Sequence, residues 1–213
     1  MNQTLNLLIG LAMGLNLLAL GSSRLPSIIR TMAAQGVILG LLPLVIEPAF
    51  GWRVGLVALA TVVMKGLAIP TLLRRAMRTA NIDREVEPFI GFVPSLLLGA
   101  FGTIAAVAAA RSLPLLPAHA STLVVPGALA SILTGFILLV GRVKAISQVC
   151  GFLIMENGIY LFGMLLITST PLLVESGILL DLVGAVFVIG IIVDRIQRAF
   201  DSLDTRKLTV LRE

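Results

Sequence analysis

A carboxylate and an amide stand side by side, Glu156 and Asn157, inside the stretch GRVKAISQVCGFLIMENGIYLFG from Gly141 to Gly163. Arg142 and Lys144 open this stretch, and from Ile146 to Thr168 the ionisable side chains are Glu156, Cys150 and Tyr160. Glu156 lies about eight residues past Gln148, roughly 12 Å along a helix axis. A charge that deep in an apolar run costs at least ~2.5 kcal/mol even on the gentlest insertion scale, so the carboxylate is expected to face other helices. Two kinds of chemistry fit such a group. It can exchange protons inside a region of low dielectric, or it can join helices through a static hydrogen bond or ion pair.

Counting inward from the ends of the other apolar runs places further polar residues. Gln35 and Lys65 each lie about eight residues from the inner end of their own run, the level of Glu156. A lysine and a glutamate at matching depth suggest a buried pair or a proton relay, with Gln35 and Asn157 able to hold water between them and Tyr160 able to extend the chain of polar groups. Asp181 falls near the middle of the last apolar run and joins the candidates. Glu175 is a weaker one, since it and Glu47 lie near the outer surface, where a carboxylate can snorkel or cap a helix.

The elements that position these residues follow from composition. The chain has 213 residues, 58% of them hydrophobic and 13% charged, outside the range of soluble domains. Its formal net charge of +5 is spread over short segments between apolar runs, which argues against a nucleic-acid surface. One cysteine and one histidine cannot build an iron–sulfur, haem or zinc site, so no cofactor and no metal is expected. Cys150 reads as a small core residue and His119 as part of a Pro-flanked loop.

At ~20 apolar residues per span the sequence predicts an all-α integral membrane protein of about seven helices, near 3–22, 27–46, 52–73, 88–110, 121–140, 147–168 and 172–193. Residues 1–193 would form the bundle and 194–213 a basic cytoplasmic tail, in which Ile196, Ala199, Phe200 and Leu203 recur at helical spacing. The run from Leu5 to Leu20 has no basic residue before it and reads as a retained span rather than a signal peptide. The basic residues then sort by side. Arg24, Arg30, Arg74, Arg75, Arg78, Arg84, Arg142, Lys144 and the tail's Arg195, Arg198, Arg206, Lys207 and Arg212 fall on one side, against Arg53 and Arg111 on the other. The positive-inside rule puts the N-terminus outside and the C-terminus in the cytoplasm. On that reading Arg74, Arg75, Arg142 and Lys144 are topology determinants, and RRAMRTANIDREVEP is a solvated or headgroup-level connector. GLAMGLN and GAVFVIG offer small-residue spacings for close helix packing.

GFLIMENGIYL, the helix LLVESGILLDLVGAVFVIGIIV and the tail SLDTRKLTVLRE resemble hydrogenase-4 component E, a membrane subunit of formate hydrogenlyase and related energy-converting nickel-iron hydrogenases. The resemblance runs nearly end to end and takes in MAAQGVILG with Gln35, TVVMKGLAIPTLL with Lys65 and Pro70, and REVEPFIG. Residues 141–193 are also similar to the small K subunit of respiratory complex I, which supplies paired membrane glutamates to a proton path. Matching Gly151 and Asn157 sets that subunit's first glutamate opposite Leu153, one turn from Glu156, and its second near Asp181. The resemblance implies a multi-pass subunit of the cell inner membrane, not an enzyme on its own. The partners it implies are antiporter-like and quinone-site-like membrane subunits and the hydrogenase large and small subunits.

Three functions remain open from sequence. The first is a membrane-arm subunit that contributes Glu156, Lys65, Asp181, Glu175, Gln35, Asn157 and Tyr160 to proton or sodium translocation coupled to a hydrogenase. The second is a purely structural assembly subunit, with Lys65 and Glu156 a static staple. The third, a stand-alone secondary transporter, would call for an internal repeat and broken helices, and no convincing repeat is visible.

Overall fold

In hydrocarbon every backbone N–H and C=O must find a partner within the chain, and for runs of this length and pattern that leaves helices. A computed structural model of the protein has this architecture. It describes residues 2–46, 52–79, 83–113, 122–164 and 190. The helices are α1 (Asn2–Gly21), α2 (Leu25–Ile46), α3 (Trp52–Val63), a π-helical turn (Met64–Ala68), α4 (Ile69–Thr79), α5 (Phe92–Ser112), α6 (Val124–Gly141) and α7 (Ala145–Gly163). Because α3, the π turn and α4 form one continuous rod, six helical segments among the described residues are long and apolar enough to cross a membrane. Each of the first six expected spans has its counterpart. The expected seventh, 172–193, lies outside the described residues except for Gly190, as do the tail 194–213, Glu47, His119, Glu175 and Asp181.

The fourth span begins later than expected, at Phe92 rather than near Pro88, and the chain before it is tied to other elements, with Ile90 N–H donating to Gly141 O. Leu25 N–H donates to Asp83 O, Glu85 N–H donates to Ser23 O, and Arg24 and Arg84 form an isolated bridge. The connector after α4 is thus bonded to the turn between α1 and α2.

Three contacts set the directions of the helices. Gly127 of α6 meets Ile9 of α1 while Ser131 bonds to Asn16, so α1 and α6 run parallel. Gly36 meets Lys65 and Gly40 meets Thr61 and Val62, so α2 and the α3–α4 rod run antiparallel. The α6–α7 hairpin is the tightest pair. A Cβ on Gly151 would stand 2.7 Å from Leu139 N, and one on Gly158 would stand 2.7 Å from Ile132 N. Gly135 likewise faces the backbone of Gly151 and Met155. Among the described residues the close approach expected of GLAMGLN does not occur: none of them lies within 4 Å of a Cβ built on Gly10 or Gly14. Of GAVFVIG only Gly190 is described.

The π turn answers a spacing problem. Ala58, Thr61, Lys65, Ile69, Leu73 and Met77, mostly four residues apart, are buried along the rod, with Pro70 beside Ile69. In a 3.6-residue helix each four-residue step would turn the face by about 40°, carrying the series off the core. One wider turn, closed by Ile69 N–H on Met64 O, absorbs the surplus residue. Pro70 just beyond it brings no N–H, and its ring would crowd the carbonyl of residue 66 in a regular helix, so local chemistry favours the irregularity.

Two apolar clusters fill the bundle. One gathers Ala19, Leu20, Leu25, Ile28, Ile29, Met32, Ile69, Leu73, Met77, Leu138, Val149, Cys150, Leu153 and Ile154. The other holds Leu5, Ile9, Leu39, Leu42, Val124, Ala128, Leu161 and Met164. Along α1, α2, α6 and α7 these clusters lie at opposite ends of the helix. Between them, among small apolar residues, lies a set of buried polar side chains.

Candidate functional site

Between the two apolar clusters lie, among other buried residues, Asn16 on α1, Gln35 on α2, Lys65 on the π turn, Ser131 on α6, and Glu156 and Asn157 on α7. The helices bring them into one connected set. Lys65 Nζ donates to Asn157 Oδ1 at 2.8 Å. Asn157 Nδ2 donates to Gln35 Oε1 at 3.2 Å. Gln35 Nε2 donates to Asn16 Oδ1 at 2.9 Å and to Ser131 Oγ at 3.2 Å. Asn16 Nδ2 closes the set on Ser131 Oγ at 2.9 Å. Glu156 Oε1 lies 3.5 Å from Lys65 Nζ, and the ammonium sits 5.4 Å from the centre of the half-buried Tyr160 ring.

Local structure places each member. Glu156 and Asn157 follow one another on α7, about 100° apart around its axis, so both can reach a cation seated between α2 and α7. Gly36 permits that seat, since a Cβ there would stand 2.7 Å from Lys65 Cβ. Gly66 does the same on the other side, its missing Cβ leaving room for Val37. With both charges almost fully buried, 3% exposed for Lys65 and 2% for Glu156, each depends on the other and on Asn157 to offset its lost hydration.

The structure therefore brings together five of the residues singled out from sequence: Lys65, Glu156, Asn157, Gln35 and Tyr160. It corrects one detail, because Gln35 and Asn157 bond directly rather than through water. It adds Asn16 and Ser131, which close the far end of the network. The same counting of depth would have placed Asn16 beside the others, but its face on α1 was not legible.

A second polar cluster lies beyond the larger apolar layer, at the end of the bundle that carries the arginine-rich turns. Glu85, read from sequence as part of a solvated connector, is 2% exposed. Its Oε1 accepts from Val143 N–H and Lys144 N–H, and its Oε2 accepts from Ser147 Oγ at 2.6 Å. It thereby supplies the first turn of α7 with the anion that a helix N-terminus favours. Arg142, read as a topology determinant, is fully buried. It donates to Leu20 O at 2.6 Å and to Ile90 O at 3.1 Å, and stacks 4.5 Å from the Phe92 ring. Its cation meets the carbonyl end of α1, the matching pole of the helix dipole. Burial draws the Arg142 guanidinium below its ordinary value, and the charge of Glu85 opposes that. Among the described residues no group of His, Cys, Asp and Glu could hold a metal ion.

Apolar helices that enclose a lysine–glutamate pair at mid-depth define a polytopic membrane protein with internal ionisable groups. Comparison with known proteins narrows the class. The chain is 32% identical over 154 residues to hydrogenase-4 component E of Escherichia coli, a match that covers 70% of this chain and 69% of that protein. The Shigella flexneri protein of the same name gives the same figures. An uncharacterized protein of Mycobacterium tuberculosis is 35% identical over 191 residues, covering 89% of this chain and 87% of the relative. The chain belongs to the hydrogenase-4 component E family. No family model and no solved structure matches it.

Proposed function

We propose that this chain is a membrane-arm subunit of a hydrogenase complex and that its Lys65–Glu156 pair takes part in ion translocation within the plane of the membrane. Family membership supports the first half. One observation carries the second: the polar set crosses the bundle from α6 to the π turn while apolar layers seal it on either side. Among the described residues such a layer offers no continuous polar route across the thickness of the bundle, and it contains a buried charged pair. Ion movement through it is lateral, handed to and from neighbouring subunits.

The partners in this reading are antiporter-like and quinone-site-like membrane subunits, with the hydrogenase large and small subunits attached on the cytoplasmic side, as in formate hydrogenlyase. Asp181 and Glu175, together with the likeness of 141–193 to the complex I K subunit, extend the same path. The subunit itself performs no redox chemistry. Glu156→Gln and Lys65→Met test the reading in the purified complex. Both variants are expected to copurify with the partner subunits and to lower coupled ion movement by roughly tenfold or more, the scale of a lost proton-transfer group. Full coupling in a fully assembled Glu156→Gln complex would leave the pair as a staple between α7 and the π turn, the assembly reading that its tight hydrogen bonding also favours.

A further inference from the structure

We infer that the outer flank of the seam between α2 and the α3–α4 rod binds an anionic phospholipid, with the lipid phosphodiester held by Arg30 and Arg74. The two helices are antiparallel and approach closely where a Cβ on Gly66 would stand 2.6 Å from Val37 Cγ2. Arg30 lies two turns before Val37 and so on the same side of α2. Arg74 lies eight residues beyond Gly66, and the π turn absorbs one of them, which leaves it two turns along and again on the same side of the rod. Two turns back on one helix and two turns forward on its antiparallel neighbour reach one level. The fold therefore sets two guanidiniums opposite each other across the seam, at the arginine-rich end of the bundle.

Like charges repel, and this arrangement is relieved by an anion between them. Arg30 is exposed and Arg74 half-buried, and neither hydrogen-bonds or ion-pairs with a described residue. The described carboxylates at this end, Asp83, Glu85 and Glu87, all belong to the connector after α4. Arg78, exposed one turn beyond Arg74, adds a third cation. What makes the anion a lipid is the surface that leads away from it. Ala34 and Leu41 continue the Arg30 face of α2, Leu59 and Val63 continue the same flank of the rod, and all four are exposed. From Arg30 to Leu41 this strip runs roughly 16 Å, about half the hydrocarbon core of a bilayer, which is the reach of one acyl chain. Both arginines also lie about five residues inside the helix ends at Leu25 and Thr79, a depth from which a long cationic side chain rises to the headgroup level. A water-soluble acidic protein would meet the charges and leave the strip uncovered. Planar guanidiniums grip phosphate oxygens in pairs, and basic clefts between spans suit anionic headgroups. Choline and ethanolamine headgroups carry an ammonium that the arginines would repel, so the ligand is a phosphodiester of net negative charge, of the phosphatidylglycerol kind.

The full chain, purified in detergent and washed free of lipid, tests this. It is titrated with phosphatidylglycerol, with phosphatidylcholine of the same acyl chains and with water-soluble glycerol 3-phosphate, and bound molecules are counted by native mass spectrometry. Phosphatidylglycerol is expected to bind with a preference of roughly tenfold or more over phosphatidylcholine, the scale of two basic residues at an anionic surface, and Arg30→Gln with Arg74→Gln to erase that preference. Arg24→Gln with Arg84→Gln, which removes two exposed cations from the same end but off the seam, is expected to keep it. Equal binding of the two lipids, or equal loss in both double variants, would overturn the site. Full competition by glycerol 3-phosphate would assign the arginines to a soluble phosphate instead. In the assembled complex, release of a partner subunit by the Arg30–Arg74 variant, with no phosphatidylglycerol bound to the unaltered complex, would assign them to an acidic protein surface. Should the glutamine variant not fold, Arg30→Lys with Arg74→Lys takes its place, since it keeps both charges and loses the forks. It is expected to bind phosphatidylglycerol several-fold more weakly, and undiminished binding would overturn the two-arginine clasp.

Discussion

The carboxylate of Glu156 and the ammonium of Lys65 are separated by 3.5 Å in a place almost without water, and that arrangement has a measurable thermodynamic signature. Removing one member strands the other, at a cost of about 3–5 kcal/mol, whereas removing both is far less damaging. Lys65→Met and Glu156→Leu are each expected to lower thermal stability of the purified chain. The double variant should recover most of the loss, except for about 1–3 kcal/mol from Asn157 Oδ1, which loses its donor. Unfolding followed by intrinsic fluorescence in detergent gives the cycle, and strictly additive losses would mean that the two charges do not interact. Arg142 calls for a different substitution. Arg142→Lys preserves the charge that topology requires but cannot reach Leu20 O and Ile90 O with one planar fork. It is expected to lose roughly 2–3 kcal/mol, the worth of hydrogen bonds from a charged donor, while the exposed Arg78→Lys loses nothing measurable. Equal behaviour of the two in a thermal melt would return Arg142 to the role of a topology signal alone.

Helices, rather than side chains, decide whether these groups meet, and the α6–α7 hairpin sets the tolerance. A methyl group on Gly158 would intrude on Ile132 N and Ala128 O, two backbone atoms that cannot rotate aside. Gly158→Ala therefore separates the two helices and moves Glu156 and Asn157 with them. A loss of about 1–3 kcal/mol is expected, as for overpacking in a filled core. Gly10→Ala and Gly14→Ala, with no described residue within 4 Å, are expected to gain up to about 1 kcal/mol from helix propensity. Melting temperatures of the three variants in one detergent check the contrast, and a destabilising Gly10→Ala would point to a helix seated on that face of α1. Sequence reading could not separate these glycines, because spacing along one helix says nothing about which neighbour faces it. The same limit hid the π turn: Lys65 was placed correctly in depth by counting residues, but the wider turn that points it at Asn157 appears only once the four-residue spacing of the buried positions is known. Glu85 was misread for a related reason. The mixed charges around it look solvated, and nothing local says that the carboxylate reaches the first turn of α7.

At the scale of the whole molecule, the stacking order is apolar, polar, apolar, with charged turns beyond. This order was largely legible, because depth in a membrane helix is proportional to residue count, and Gln35, Lys65 and Glu156 fall at one level on that measure alone. Asn16 and Ser131 escaped because lone small polar residues are common in apolar helices. The parallel course of α1 and α6 agrees with strict alternation of the six described spans, which places the turns at Arg24, Arg84 and Arg142 on one side and Ser112 on the other. The orientation expected from the positive-inside rule, in which the first of these sides is cytoplasmic, is then a prediction. Native chemistry simplifies the test, since the chain's single cysteine, Cys150, is buried in the larger apolar cluster and should not react with a polar reagent. Arg84→Cys and Ser112→Cys, both at exposed positions, are then the reporting thiols. A membrane-impermeant maleimide applied to intact cells is expected to label Ser112→Cys at once and Arg84→Cys only after permeabilisation. The reverse pattern would invert the subunit and put the Glu85–Arg142 cluster on the outer face, away from the cytoplasmic hydrogenase subunits proposed as its partners.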